Sequence, residues 1–271
     1  PREAEKEVQE IVQELERMCA GECPEPTFRK ACVEISPWGA CCFALAERTN
    51  DIALLFQVNR RQRAALRDVG ILTVNQAATM DPNQFSGLNP HLTLKALKAI
   101  QRQAQSLVET AVIIRAPFSP SPIPFEIHFD IESHPPTDTD YLFGCLVRDK
   151  ARKKEKYVSF VAKRLSGEKR AWMKFLAWME TLPEQYVVYH YSAYEAERLQ
   201  ILARRYHTEE HEHLKRFAKS MIDLSEVLKD HAALPLYIYS LKRIGHLLGA
   251  SWNGAVSHGA DSIGVYERWL K

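Results

Sequence analysis

The chain has 271 residues, 46% hydrophobic and 26% charged, with a formal net charge of +2 at pH 7. That composition excludes a disordered chain, and it excludes a polyelectrolyte that grips nucleic acid by bulk charge; such a grip has to come from local patches. No apolar run is long enough for a bilayer and no secretory signal pattern is present, so the expectation is a cytoplasmic protein with no membrane partner.

Residues 2–18 place Val8, Ile11, Val12 and Leu15 at helical spacing among charges, which predicts an amphipathic helix ended by Gly21 and Pro24. Five of the six cysteines follow closely, at 19, 23, 32, 41 and 42, while Cys145 stands alone. Without a secretory signal, metal binding or burial explains them better than a disulfide framework. Cys23, Cys32, Cys41 and Cys42 are candidate thiolate ligands for Zn²⁺ or an iron–sulfur cluster, although adjacent Cys41 and Cys42 cannot easily share one metal. Free buried thiols are the alternative.

Residues 51–108 read as several short helices. One ends at Gly70, Thr73 can cap the next, and Asp81-Pro82 starts another. Helix, glycine turn, helix resembles a helix-hairpin-helix unit, which offers backbone N–H groups to phosphates without reading sequence. Arg60, Arg61, Arg63 and Arg67 supply positive charge, and a helical connector with a solvated basic face is the competing account. The Pro/Ser-rich stretch 116–124 predicts an extended linker and a domain boundary.

In 124–133, Phe125, Ile127, Phe129 and Ile131 alternate with Glu126, His128, Asp130 and Glu132. A period of two predicts a strand that presents Asp130 and Glu132 on one face. Paired acids repel unless a cation lies between them, and hard oxygen ligands suit Mg²⁺ or Mn²⁺; a solvated acidic edge strand is the plainer reading. Two more strands, at 141–147 and 156–162, predict an antiparallel meander. The basic turn between them includes Lys153 and Lys154, which fit either a solvated hairpin tip or phosphate contacts. A helix is predicted from about Gly167 to Leu182, with Trp172, Phe175, Leu176 and Met179 inward.

Tyr186–Tyr191 predicts a buried strand, and a helix follows from Ser192. Glu195 in its first turn falls beside the acidic pair if the sheet is wound in the usual way, but Ser192-x-x-Glu195 also predicts a capping box. His207, His211 and His213 are either metal ligands or an exposed connector. Asp223 ends a strand, a helix is predicted across 234–252 with Gly249 as its stop, and a last helix begins near Asp261 or Ser262.

This order of elements resembles the ribonuclease-H-like fold of DEDD-type 3′–5′ exonucleases. FDIESHPPTDTDYLFG, VVYHYSAYEAERL, IDLSEVL and YSLKRIGHLLG are similar to the ribonuclease-H-like domain of bacterial RecB-like nucleases, and the cysteine and DVGILTV segments are similar to the middle of those proteins. The resemblance implies an α/β fold, a mixed sheet flanked by helices, preceded by a small all-α domain. It implies a helix and cysteine tail of an upstream nuclease domain at 1–48, a helix-hairpin-helix-like domain at 49–115, a linker at 116–124 and an exonuclease domain at 125–271, truncated at its C-terminus. It also implies two-metal phosphodiester hydrolysis. Asp130 bridges both ions in that scheme, Glu132 and Glu195 each hold one, and Asp223 is structural. His190 or Tyr194 positions the water or phosphate. The third-motif carboxylate is expected beyond Lys271, with His258 and Asp261 the nearest groups in the chain. The implied partners are nucleic acid, DNA ahead of RNA, and a helicase or nuclease domain. Two other readings stay open: a catalytically incomplete nucleic-acid-binding module, and a structural interaction domain.

Overall fold

The computed structural model describes residues 2–22, 28, 36–56, 58–251 and 259–270, the side chains of 2–4, 6, 7, 259 and 260 excepted. The chain divides into two compact units, Pro1–Ala111 and Val112–Lys271.

The first unit is helical: α1 Arg2–Cys19, α2 Gly39–Arg48, α3 Arg60–Asp68, α4 Val74–Thr79, α5 Pro82–Phe85 and α6 Leu94–Glu109. The apolar stripe of α1 forms as its spacing predicts, yet Val8, Ile11, Val12 and Leu15 all stay exposed. Asn59 with Gln62 and Thr73 with Gln76 form reciprocal capping boxes at the starts of α3 and α4. Between these helices Gly70 takes φ +84°, a conformation that disfavours a side chain. Leu66, Leu92, Leu97 and Ile100 pack inside with the 3₁₀ turn Ile52–Leu54.

The second unit carries a five-stranded sheet. Its strands are β2 Phe125–His134, β3 Thr139–Asp149, β4 Lys154–Val161, β5 Val187–His190 and β6 Met221–Asp223, in the order β4-β3-β2-β5-β6. The meander β2-β3-β4 is antiparallel, while β5 runs parallel to β2 and β6 parallel to β5, so the sheet is mixed. A two-residue strand β1, Ile113–Ile114, pairs with β7, Ala232–Ala233. The expected linker is therefore laid along this unit: Arg115 N–H donates to the His231 carbonyl, and Ser121 N–H donates to the Tyr189 hydroxyl at 3.3 Å.

The helices are α7 Glu168–Met179, α8 Tyr194–Tyr206, α9 Glu212–Lys219, α10 Leu224–His231, α11 Leu241–Leu247 and α12 Gly259–Leu270. The helix expected across 234–252 is only α11. Pro235 and a buried Tyr239, whose hydroxyl donates to the Leu234 carbonyl, hold the preceding residues out of helix, and Ser240 caps the start instead. Gly249 ends this segment at φ +81°, as its sequence predicts.

Alternation along β2 sorts the two faces of the sheet. Ile127, Phe129 and Ile131 join Phe143, Cys145 and Val188 against Trp172, Phe175, Leu176 and Met179 of α7. Phe175 stacks on both Phe129 and Phe143, with ring centroids 5.3 and 5.2 Å apart. The other face carries Glu126, His128 and Asp130, and the functional candidates lie on it.

Candidate active site

Asp130 lies two residues past the last β2–β5 pair, His128 with Tyr189, so it stands beyond the C-terminal end of β5. There the chain makes a sharp turn into α8. Ser192 adopts φ +83°, its N–H donates to Asp223 at 2.9 Å, and its carbonyl lies 2.7 Å from His190 Nδ1. Asp223 also caps α10 through the Ser225 N–H at 2.7 Å. Burial works against the Asp223 charge, but donation from Ser225 and from the Ser192 backbone outweighs it and holds the carboxyl below its ordinary range.

This turn overrules the expected Ser192–Glu195 capping box. Ser192 is left-handed and its backbone is already engaged, the N-cap is Ala193, and no side chain caps α8. Glu195 is released from capping and stands in the first turn of α8, where the helix dipole favours a negative charge. It is 95% buried; its Oε2 accepts no hydrogen bond and lies 3.5 Å from His190 Nδ1.

Asp130 faces Glu195 across the strand end. It is exposed at the surface, yet the protein around its carboxyl partly desolvates it and raises its pKa to about 6, with the charges of Glu132 and Glu195 adding to the rise. Glu132, on the same strand face, lies with Oε2 3.4 Å from the Tyr141 hydroxyl, which also meets Ser262 Oγ of α12 at 2.5 Å. Asp130 and Glu195 open onto a cleft of about 520 Å³ that is also lined by His128, Gly144, Tyr157 and Leu241.

A polar network missed from the sequence ties these pieces together. Arg198, one turn after Glu195, donates through Nε and Nη2 to Asp140 at 2.9 and 2.8 Å, and through Nη1 to Asp138 at 2.8 Å. Asp140 is fully buried and also accepts from Ser133, which sits at the bulge that follows Glu132. Tyr194 donates to the same Ser133 hydroxyl at 2.5 Å, and Arg205 binds Glu168 of α7 at 2.8 Å. The helix bearing Glu195 is thus locked to the strand bearing Asp130 and Glu132. Its only sequence signal is an unusual density of acids in the loop at 138–140 and of arginines on α8.

The other candidates fall elsewhere. Cys23, Cys32 and His258 lie outside the described residues. Cys41 and Cys42 are neighbours on α2, where successive side chains diverge by about 100° around the helix axis. Arg63 is committed to Asp51 at 2.9 Å, while Arg60 and Arg61 stay exposed. In the basic hairpin, Arg148 pairs with Glu155 and Arg152 with Asp149, whereas Lys153 and Lys154 are exposed. His207 ends α8 and His211 caps α9. Among the described residues, no three His, Cys, Asp or Glu side chains are gathered as a metal-binding group, and no helix is long and apolar enough to cross a membrane.

A family model of the RNase_H superfamily matches residues 127–271, more than half of the chain and the whole of the sheet past the start of β2. The chain belongs to the RNase_H superfamily. No curated protein and no solved structure matches it. An RNase_H superfamily domain fits nuclease-type processing of nucleic acid, and nucleases of this fold typically use divalent metals such as Mg²⁺. The acids here suit such an ion: Glu195 Oε2 is buried without a hydrogen-bond donor, and Asp130 is pressed against two like charges in a solvent-accessible recess.

Proposed function

We propose that the second unit is a metal-dependent nuclease that hydrolyses phosphodiester bonds, with Asp130, Glu132 and Glu195 as the residues that hold Mg²⁺ or Mn²⁺. The observation that carries this reading is the juxtaposition of Asp130 with Glu195, whose buried Oε2 accepts no hydrogen bond, at the mouth of a cleft on an RNase_H superfamily sheet. The bound ion would lower the pKa of an attacking water and offset charge on the leaving oxygen. Glu195 is held by α8 and its Arg198 anchor, so its position costs no reorganisation on substrate binding. His190 Nδ1 is engaged with the Ser192 carbonyl at 2.7 Å and lies 3.5 Å from Glu195 Oε2, which leaves that oxygen open to a cation.

The finer reading is 3′–5′ exonuclease action on DNA in a protein of the RecB-like nuclease type. There the helical unit, with Arg60 and Arg61 exposed at the start of α3, would hold phosphates. A second reading is a nucleic-acid-binding module without catalysis; it is favoured by one observation, the lack among the described residues of a gathered set of three ligands.

Incubation with 3′- and 5′-labelled single-stranded DNA in Mn²⁺ tests the proposal. The expected result is metal-dependent shortening, abolished by chelation and reduced at least 100-fold in Asp130→Ala and Glu195→Gln. Equal cleavage by the wild type and both variants would reject the assigned acids. Strand binding without cleavage would leave the binding module as the function.

A further inference from the structure

We infer that Tyr157 is a nucleobase-stacking residue, which takes a base of a single-stranded nucleic acid whose phosphate lies at Asp130. The inference rests on the nuclease reading above and names the part of the substrate that this reading leaves unassigned.

Register places three cross-strand rows on the open face of the sheet. Glu155, Arg148 and Glu126 form the first, and it is closed by charge pairing: Arg148 with Glu155 at 2.7 Å, and Glu126 with Lys150 at 2.5 Å. Tyr157, Leu146, His128 and Tyr189 form the second, a row of rings and one leucine that reaches from edge strand β4 to β5. Ser159, Gly144 and Asp130 form the third. The ring row therefore adjoins the row that bears the catalytic candidate, and the two share one cleft.

Within the ring row only Tyr157 offers a free face. Tyr189 is buried, with its hydroxyl accepting from the linker at Ser121, and the His128 ring lies against it at 5.6 Å. Tyr157 is 58% exposed. Its phenol does not stand straight off the sheet but reaches along it into the acid row: a Cβ added at Gly144 would lie 2.6 Å from the Tyr157 hydroxyl. Gly144 is the partner of Asp130 in the β2–β3 register, so the ring tip is brought beside the carboxylate by a position that lacks a side chain. Leu241, also exposed, lines the same cleft. An exposed ring beside a phosphate-handling acid, in a cleft whose size suits a small ligand, has the chemistry of a base platform, and stacking tolerates every base.

The same ring also shields the backbone at Gly144, a purely structural service known for aromatics beside glycines in sheets. That service would affect thermal stability and would be blind to a base. The discriminating experiment uses a single-stranded DNA oligonucleotide carrying 2-aminopurine, and a matched strand with an abasic nucleotide in its place. Anisotropy reads binding and fluorescence quenching reads stacking, in Ca²⁺ and again in EDTA. The wild type is expected to bind and quench. Tyr157→Ala is expected to lose quenching and to bind about tenfold or more weakly, while Tyr157→Phe keeps both. On the abasic strand, wild type and Tyr157→Ala are expected to bind alike. Undiminished binding and quenching by Tyr157→Ala would overturn the inference while leaving the nuclease reading intact. Failure of the wild type to bind any strand would overturn the nucleic-acid reading and this inference with it.

Discussion

Asp130 holds a proton more tightly than an ordinary carboxyl does. Burial and two like charges lift its pKa from 3.8 to about 6. In the unfolded chain neither cause operates. Between about pH 4 and pH 6 the native protein therefore binds more protons than the unfolded one, and its stability falls as pH rises through that window. Above it the native fold carries the full repulsion. Asp130→Asn removes the charge without changing the shape. In chelator it is expected to stabilise the protein by about 1 kcal/mol at pH 7, discounted for solvent screening of a side chain open to water, and by nothing measurable below pH 4. Thermal melts at the two pH values check this. A lower melting temperature for the variant at pH 7 would mean that Asp130 is stabilised by its neighbours rather than strained by them.

At the scale of elements, the decisive piece is α8. It is joined to β3 by the fork of Arg198 on a carboxylate with no solvent exposure, and to β2 by the Tyr194 hydroxyl on Ser133. Arg198→Ala would leave Asp140 buried and unpaired, a loss of about 3–5 kcal/mol in urea unfolding. Arg198→Lys, which keeps the charge but not the planar fork, should fall between. A loss below about 1 kcal/mol would show that the helix is held by apolar packing alone. This network also marks where sequence reading stops. The alternation in β2 exposed Asp130 and Glu132 as a same-face pair, because strand periodicity is local. The partners Asp140 and Arg198 lie 58 residues apart, and no local pattern links them. Ser192-x-x-Glu195 misled for a related reason: the Ser192 N–H is taken by Asp223, 31 residues away, and this tertiary bond overrides a local capping preference. The long helix expected from Leu234 failed where Tyr239 turned inward, again a tertiary event.

At the scale of the molecule, the order of strands and helices was readable from the chain, and with it the mixed sheet and the helical unit before it. The reach of Tyr157 over Gly144 was not, because it depends on register across two hairpins. What the fold accomplishes is convergence: an exposed strand end and the first turn of a helix set two carboxyls against each other. The central claim is that this arrangement is a divalent-ion site. Calorimetric titration of Mn²⁺ into the wild-type protein and into Asp130→Ala tests it most directly. The account predicts saturable binding by the wild type that is weakened at least tenfold in the variant. Equal binding by both proteins, or none by the wild type, would contradict it.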